Sequence, residues 1–333
     1  DILAGLGTSP SRFIALDDGR YLALTEDLRR RLEGFAAVTE AIRGKHRIAA
    51  AGVGAVEELV GAAGAVKADR RWHELKDKLA AAERYEPALP PGLDADLRDY
   101  QRQGFVWLAR LSRLGLGACL ADDMGLGKTV QTLALLLNDA AQGPSLVVAP
   151  TSVCHNWVLE ANRFAPELRV HMLAAAADRA ALIESLAAGD VLVVSYGLLH
   201  TEIEALASRR FAVAVFDEAQ SLKNAETRRA QASKRIVADF RLGLSGTPVE
   251  NRLEELWSLY DTVIPGLLGS RDSFHRRFAG PMEKGHAGGQ ARQALKTLVR
   301  PFLLRRTKAA VLAELPSRTE ITLEIEAGQE ERA

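Results

Sequence analysis

The sequence predicts an α/β protein built on a doubly wound parallel sheet, and three observations lead there. Short continuous apolar runs recur between Ala118 and Leu244 with helical segments between them, the pattern of strands covered on both faces by helices. One of these runs, Ala118-Cys119-Leu120, leads into a glycine turn and then an amphipathic stretch from Val130 to Leu137. Strand, glycine turn and helix is the context a phosphate-cradling loop needs. Finally, polar residues follow the apolar runs where such sheets place their ligands, outside the carboxyl ends of the strands.

Composition narrows the function classes. With 333 residues and 47% apolar content the chain can bury the core of one large domain and a smaller one. Its formal net charge is zero, so it lacks the global basic footprint of a dedicated nucleic-acid binder. Any such contact must come from a local patch. Cys119 and Cys154 have no ligand spacing and are expected to be reduced thiols in the cytosol. No apolar run approaches membrane-spanning length and no basic segment precedes an apolar one at the N-terminus, so a cytoplasmic location with no membrane partner is expected. The chain opens on Asp1 and ends on a polar stretch, Gln329 to Ala333, and is read as a piece of something longer.

In chain order, residues 11 to 25 alternate around a turn: Arg12 to Leu16, then Asp17-Asp18-Gly19-Arg20, then Tyr21 to Leu24, a hairpin pattern. Thr25 stands as N-cap for a helix through Leu28, Leu32 and Ala36 to Val38. Residues 48–66 are rich in alanine and glycine, and Trp72 to Tyr85 reads as helical, with Trp72 and His73 as ordinary core and surface residues. This accessory region, residues 1–88, is expected to be mainly helical and carries no chemical motif. Leu89-Pro90-Pro91-Gly92 is the clearest breaker, and residues 89–96 are assigned as a linker. Leu97 to Gly104 then leads into a helix with Phe105, Leu108 and Leu111. Buried strands follow at Leu146 to Ala149, Val191 to Val194, Ala212 to Phe216 and Leu242 to Leu244.

The chemistry is concentrated at the ends of these strands. In Ala121 to Thr132 the turn Asp123-Met124-Gly125-Leu126-Gly127 runs into Lys128-Thr129-Val130. Its N–H groups and the helix dipole would hold a nucleotide's β-phosphate, Lys128 would place a charge on the β- and γ-phosphates, and Thr129 would ligate Mg²⁺. The general pattern wants glycine six residues before the lysine, where this chain has Asp122. After Phe216 come Asp217-Glu218-Ala219-Gln220. There Asp217 is placed to hold Mg²⁺ and Glu218 to deprotonate an attacking water, although acid pairs also occur at helix N-termini. After Leu244 come Ser245-Gly246-Thr247-Pro248, whose hydroxyls could bond to the Gln220 region and sense the γ-phosphate.

From Leu97 to about Glu320 the chain resembles the first RecA-like lobe of a Swi/Snf-type ATPase, the duplex-DNA translocase branch of helicase superfamily two. The motifs stand in the family's order: Leu97 to Trp107, Ala121 to Thr132, Ala149-Pro150-Thr151-Ser152, Asp217 to Asn224 and Leu244 to Asn251, then Phe302 to Lys308 leading to Leu315-Pro316. Asp122 is what this family usually has at that position. Gln220 in place of His, and the wording Gly246 to Asn251, look like bacterial members. The resemblance implies that Gln101 recognises adenine and that Lys128, Asp217, Glu218 and Gln220 form the catalytic set, with ATP and Mg²⁺ as cofactors. It implies that Ser245, Gly246 and Thr247 couple nucleotide state to the track, and that Thr151 and Ser152 touch DNA phosphates. The other reading of Thr151 and Ser152 is a helix N-cap ahead of Trp157, itself expected in the core, and both roles could hold at once. A second lobe, absent here, is implied to follow a linker starting at 321–333, so the isolated lobe is expected to be weakly active.

Between Arg271 and Lys308 ten Lys or Arg face only Asp272 and Glu283, a local formal charge of +8. Family members carry a helical protrusion here, and Arg276, Arg277 and Lys284 are taken as facing a phosphate backbone. The alternative is a solvated face whose arginines pair with acids such as Glu254, Glu255 and Asp261. Three functions compete: a motor on duplex DNA that remodels a bound protein complex at the nucleoid, an RNA-directed or RNA-polymerase-recycling ATPase, and a non-motor nucleotide-dependent interaction module.

Overall fold

The computed structural model describes residues 70–246, 253–283 and 288–314, with 13–15, 21–28, 32, 39–42 and 45–48 from the N-terminal region. There, β1 (Phe13–Ala15) pairs antiparallel with β2 (Tyr21–Ala23), as the alternating pattern predicts. The turn between them lies outside the described residues. The Leu28 N–H donates to Thr25 Oγ1 at 3.2 Å, so Thr25 caps the turn that follows, while most of the expected helix to Val38 lies outside the description. A second antiparallel pair, β3 (Thr39–Ile42) with β4 (Lys45–Ile48), is not signalled by its mixed residues, Thr-Glu-Ala-Ile and Lys-His-Arg-Ile.

Helix α1 (Arg70–Glu83) realises the periodicity around Trp72 to Tyr85 and packs on α2 (Asp99–Leu114). At their junction Arg110 Nε donates to the Tyr85 carbonyl at 2.9 Å and the Arg113 guanidinium lies over the Tyr85 ring. The proline-rich stretch between the helices lies on the lobe's surface: Leu89, Leu93 and Leu97 pack against the main core, and the Asp94 N–H donates to the Phe164 carbonyl.

The sheet contains seven parallel strands in the order β11-β5-β10-β9-β6-β8-β7. They are β5 (Ala118–Leu120), β6 (Ser145–Ala149), β7 (Arg169–Met172), β8 (Asp190–Ser195), β9 (Arg210–Phe216), β10 (Val237–Leu244) and β11 (Leu303–Leu304). Five of them are the predicted apolar runs. The sequence reading lacks β7, whose Arg-Val-His-Met alternates because it is an edge strand, and β11, which is only two residues long. Helices α3 (Lys128–Asp139), α4 (Thr151–Phe164), α5 (Leu253–Val263) and α6 (Gly288–Val299) are the longer elements among its connections. Phe211, Phe216, Leu120, Leu133, Leu135, Phe105 and Leu108 are fully buried, each such side chain contributing about 1.5–3 kcal/mol. Cys119 and Cys154 are buried free thiols, and burial pushes Cys119 up to about 12, which makes it inert.

Register decides where the polar residues fall. Leu120 lies opposite Leu244, Gly243 opposite Phe216, Val148 opposite Phe216 and Ala149 opposite Ser195. The carboxyl ends of β5, β10, β9, β6 and β8 are therefore level. Whatever follows each strand meets its neighbours along one edge of the sheet.

Candidate nucleotide site

The loop after β5 turns on two glycines in left-handed conformation, Gly125 at φ 85° and Gly127 at φ 75°, a region other residues avoid. A side chain there would also displace Gln101, because a Cβ on Gly127 would stand 2.4 Å from Gln101 Nε2. Helix α3 begins directly after Gly127, so the turn presents the N–H groups of its first residues. Lys128 folds back over the loop, its ammonium donating to the Asp122 carbonyl at 2.7 Å. Gln101 receives the Arg98 N–H on Oε1 at 3.0 Å and donates from Nε2 to the Leu126 carbonyl at 3.3 Å, and Tyr100 donates its hydroxyl to the same carbonyl at 3.2 Å. Helix α2 is thereby tied to the loop 25 residues further on. Thr129 and Val130 are half-buried in the first turn of α3, and Met124 is exposed at the apex.

Two strands away, Asp217 is gripped from several sides. Its Oδ2 accepts Trp157 Nε1–H at 2.8 Å, its Oδ1 accepts the Glu218 N–H at 2.8 Å, and its own carbonyl accepts the hydroxyl of buried Tyr196 at 2.8 Å. Burial pushes the Asp217 carboxyl above the usual range. The Trp157 and Glu218 donors oppose the rise, the Glu218 charge adds to it, and Lys128 lowers it. Glu218 has φ 47°, the one positive value of a non-glycine residue among those described, the kind of backbone cost that collects at functional sites. Gln220 Nε2 donates to Glu218 Oε2, and Ser245 Oγ donates to Gln220 Oε1 at 2.8 Å. Because β10 lies between β5 and β9, Ser245 sits between the loop and the acids. Gly246 continues toward the apex: a Cβ there would stand 3.2 Å from Met124 Cγ. The expected bond from a Ser245 hydroxyl to the Gln220 region is present. Thr247 lies outside the described residues.

A family model described as SNF2-related domain matches residues 100–333. The chain belongs to the SNF2-related family. It is 44% identical over 263 residues to a putative ATP-dependent helicase/translocase, YwqA, of Bacillus subtilis, covering 75% of this chain and 28% of that protein. It is 37% identical over 254 residues to the TATA-binding protein-associated factor MOT1 of Saccharomyces cerevisiae, covering 68% and 14%. Among solved structures, the SWI2/SNF2 ATPase core of Sulfolobus solfataricus in complex with dsDNA matches with TM-score 0.63 and 39% identity, covering 70% of this chain and 49% of that one. The chain thus spans under a third of the length of the two relatives and about half of the solved core. The expected family and RecA-like fold are both borne out.

The residues outside the loop and acids divide unevenly in this SNF2-related lobe. Thr151 and Ser152 open α4 with exposed side chains, but the N-cap is Pro150 and no side chain caps the helix. The capping alternative therefore fails, since proline already fixes the extended backbone before the first turn. In the basic run Arg276 is exposed on a π-helical turn, His275–Ala279, while Arg277 is half-buried with its guanidinium 4.9 Å from the Phe278 ring centre. Arg271 pairs with Glu226 at 3.0 Å and Glu254 at 3.4 Å, and Lys284 lies outside the described residues. The run is not helical throughout: Leu303–Leu304 is an edge strand, and Arg306 turns inward to Asp122. Two site residues escape sequence reasoning. Trp157 is in the core as expected, yet also donates to Asp217, and its indole N–H was the available signal, since a buried one needs an acceptor. Arg306 is 184 residues from Asp122, and only the need of a buried carboxylate for a cation pointed to it.

Proposed function

We propose that this chain is the ATP-binding and hydrolysing lobe of a DNA-dependent ATPase that translocates on duplex DNA and remodels protein–DNA complexes, working with a second RecA-like lobe. The observation that carries this reading is the convergence of the Lys128 loop, Ser245 and Asp217-Glu218 on level, neighbouring strand ends. The loop N–H groups cradle the β-phosphate, and the Lys128 ammonium exchanges the Asp122 carbonyl for phosphate oxygens. Gln101, already at the Leu126 carbonyl, flanks the adenine. Glu218 takes the proton of the attacking water, and Gln220 holds its carboxylate and reports its position to Ser245, with Thr247 two residues further along the chain.

Mg²⁺ suits the donors on offer. Each Asp217 oxygen accepts one hydrogen bond and keeps a lone pair, and Thr129 adds a hydroxyl, a sparse all-oxygen set of the kind Mg²⁺ completes with phosphate and water. Bound by Asp217 and Thr129, it would neutralise charge on the β- and γ-phosphates. The exposed hydroxyls of Thr151 and Ser152 and the exposed Arg276 face the duplex backbone, and Lys284, outside the described residues, is assigned the same role. Such contacts position without reading sequence. Among the described residues no helix is long and apolar enough to cross a membrane, which is compatible with a cytoplasmic, nucleoid-associated site of action. The solved neighbour's complex with dsDNA favours duplex DNA over RNA as the track. The test is the ATPase rate of the protein at its natural length with duplex DNA and with RNA. Stimulation by duplex DNA alone is expected, and stimulation by RNA alone would overturn the substrate assignment.

A further inference from the structure

The last described segment of the chain wraps the candidate nucleotide loop. Strand β11 pairs with β5, the strand that feeds the loop, and the Ala121 N–H donates to the Leu304 carbonyl at 2.7 Å. The Asp123 N–H donates to the Arg306 carbonyl at 3.0 Å, and the Lys308 N–H to Asp123 Oδ2 at 3.0 Å. Asp122 is fully buried, and its carboxylate accepts from Arg306 at both Nε and the backbone N–H, each at 3.0 Å. The rest of the Arg306 guanidinium donates to Gln131 Oε1 at 2.8 Å and to the Tyr100 carbonyl. Further on, Val311 joins Tyr100 and Leu126 in a small buried cluster. The Lys308 side chain overhangs the turn: its Cε and Nζ both stand 3.8 Å from where a Cβ on Gly125 would be.

We propose that residues 303–311 form a strap that sets the nucleotide loop, with Arg306 as a positioning residue acting through Asp122 and Lys308 as a further cation for the nucleotide's phosphates. This rests on the nucleotide-site reading above and adds to it residues that lie nearly two hundred positions away. A buried carboxylate at the start of the loop holds one geometry only while its planar, five-donor partner is in place. The two loop glycines supply no side chain of their own, so the strap replaces the rigidity that they lack. The Lys308 amine, held beside Gly125 while its backbone N–H is tethered to Asp123, then stands over the loop that would carry the phosphates.

The experiment is a titration of the full chain with a fluorescent ATP analogue and its ADP counterpart, together with amide hydrogen exchange of residues 123–127 without nucleotide. Arg306→Gln and Asp122→Asn are each expected to weaken ATP-analogue binding about tenfold and to speed loop exchange, and the double variant to cost little more than either single. Arg306→Lys, which keeps the charge but loses the fork, gives the same test if the neutral variants fold poorly, with loop exchange again faster than native. Lys308→Ala alters an exposed side chain; it is expected to weaken ATP more than ADP with unchanged loop exchange, and Lys308→Arg to restore binding. Native affinity and native exchange in Arg306→Lys, or equal ATP and ADP loss in Lys308→Ala, would overturn the proposal. Lys128→Ala is the control: if it binds like the native chain, the nucleotide-site reading has failed rather than the strap.

Discussion

The nucleotide loop and the basic run from Arg271 to Lys308 sit in one lobe and are held in opposite ways. Around the loop and acids the polar groups of Gln101, Lys128, Asp217, Gln220 and Ser245 are pinned by neighbours at hydrogen-bonding distance. In the basic run the charges scatter: Arg271 pairs with Glu226 and Glu254, Arg277 lies against Phe278, half-buried Arg306 turns inward to Asp122, and Arg276 faces outward. A motif defined by spacing survives folding intact because level strands bring its parts together. A count of charge does not, because each long side chain finds its own partner.

That contrast orders the expected effects. Lys128→Ala removes a charge from the pinned region and is expected to weaken ATP binding at least about thirtyfold, measured by calorimetry; a smaller loss would place the phosphates elsewhere. Trp157→Phe removes one donor to Asp217 and is expected to weaken Mg²⁺-dependent ATP binding about tenfold. It also shifts a pH profile. Burial raises the Asp217 carboxyl, so the anion that binds metal is lost on acidification earlier than for an ordinary aspartate, and the fold itself gains stability as the pH falls through that raised value. Without the indole donor the carboxyl rises further and the acid limb of binding moves to higher pH. An unmoved limb would separate Trp157 from Asp217 function. The smallest effect belongs to the scattered region. Arg276→Glu should flatten the salt dependence of duplex binding by about one phosphate contact or more, and Arg277→Glu by less; equal slopes would remove the distinction drawn from their exposure.

How much was legible depends on the scale at which information is encoded. The runs at Leu146, Val191, Ala212 and Leu242 spell buried parallel strands because both faces are covered, so each residue must be apolar. Edge strands β7 and β11 escape this rule, β7 because one side of its Arg169-Val170-His171-Met172 is wet, β11 because Leu303–Leu304 is too short to show a period. The placement of the candidate residues after strand ends was legible for the same reason, as strand order and register put Asp217 and Ser245 beside the loop. Trp157 and Arg306 were not, since Trp157 adds one bond across 60 residues of chain and Arg306 a cluster of bonds to Asp122 across 184. Asp122 hinted at one of them: a carboxylate where phosphate loops usually have glycine must be neutralised if buried.

The most direct test of the central claim, that these strand ends form a working ATP site, is a pair of measurements on Glu218→Gln in the protein at its natural length with saturating duplex DNA. The account predicts ATP binding close to native and turnover reduced by about a hundredfold or more, because only the proton acceptor is lost. Native turnover in that variant would contradict it and move the chemistry away from Glu218.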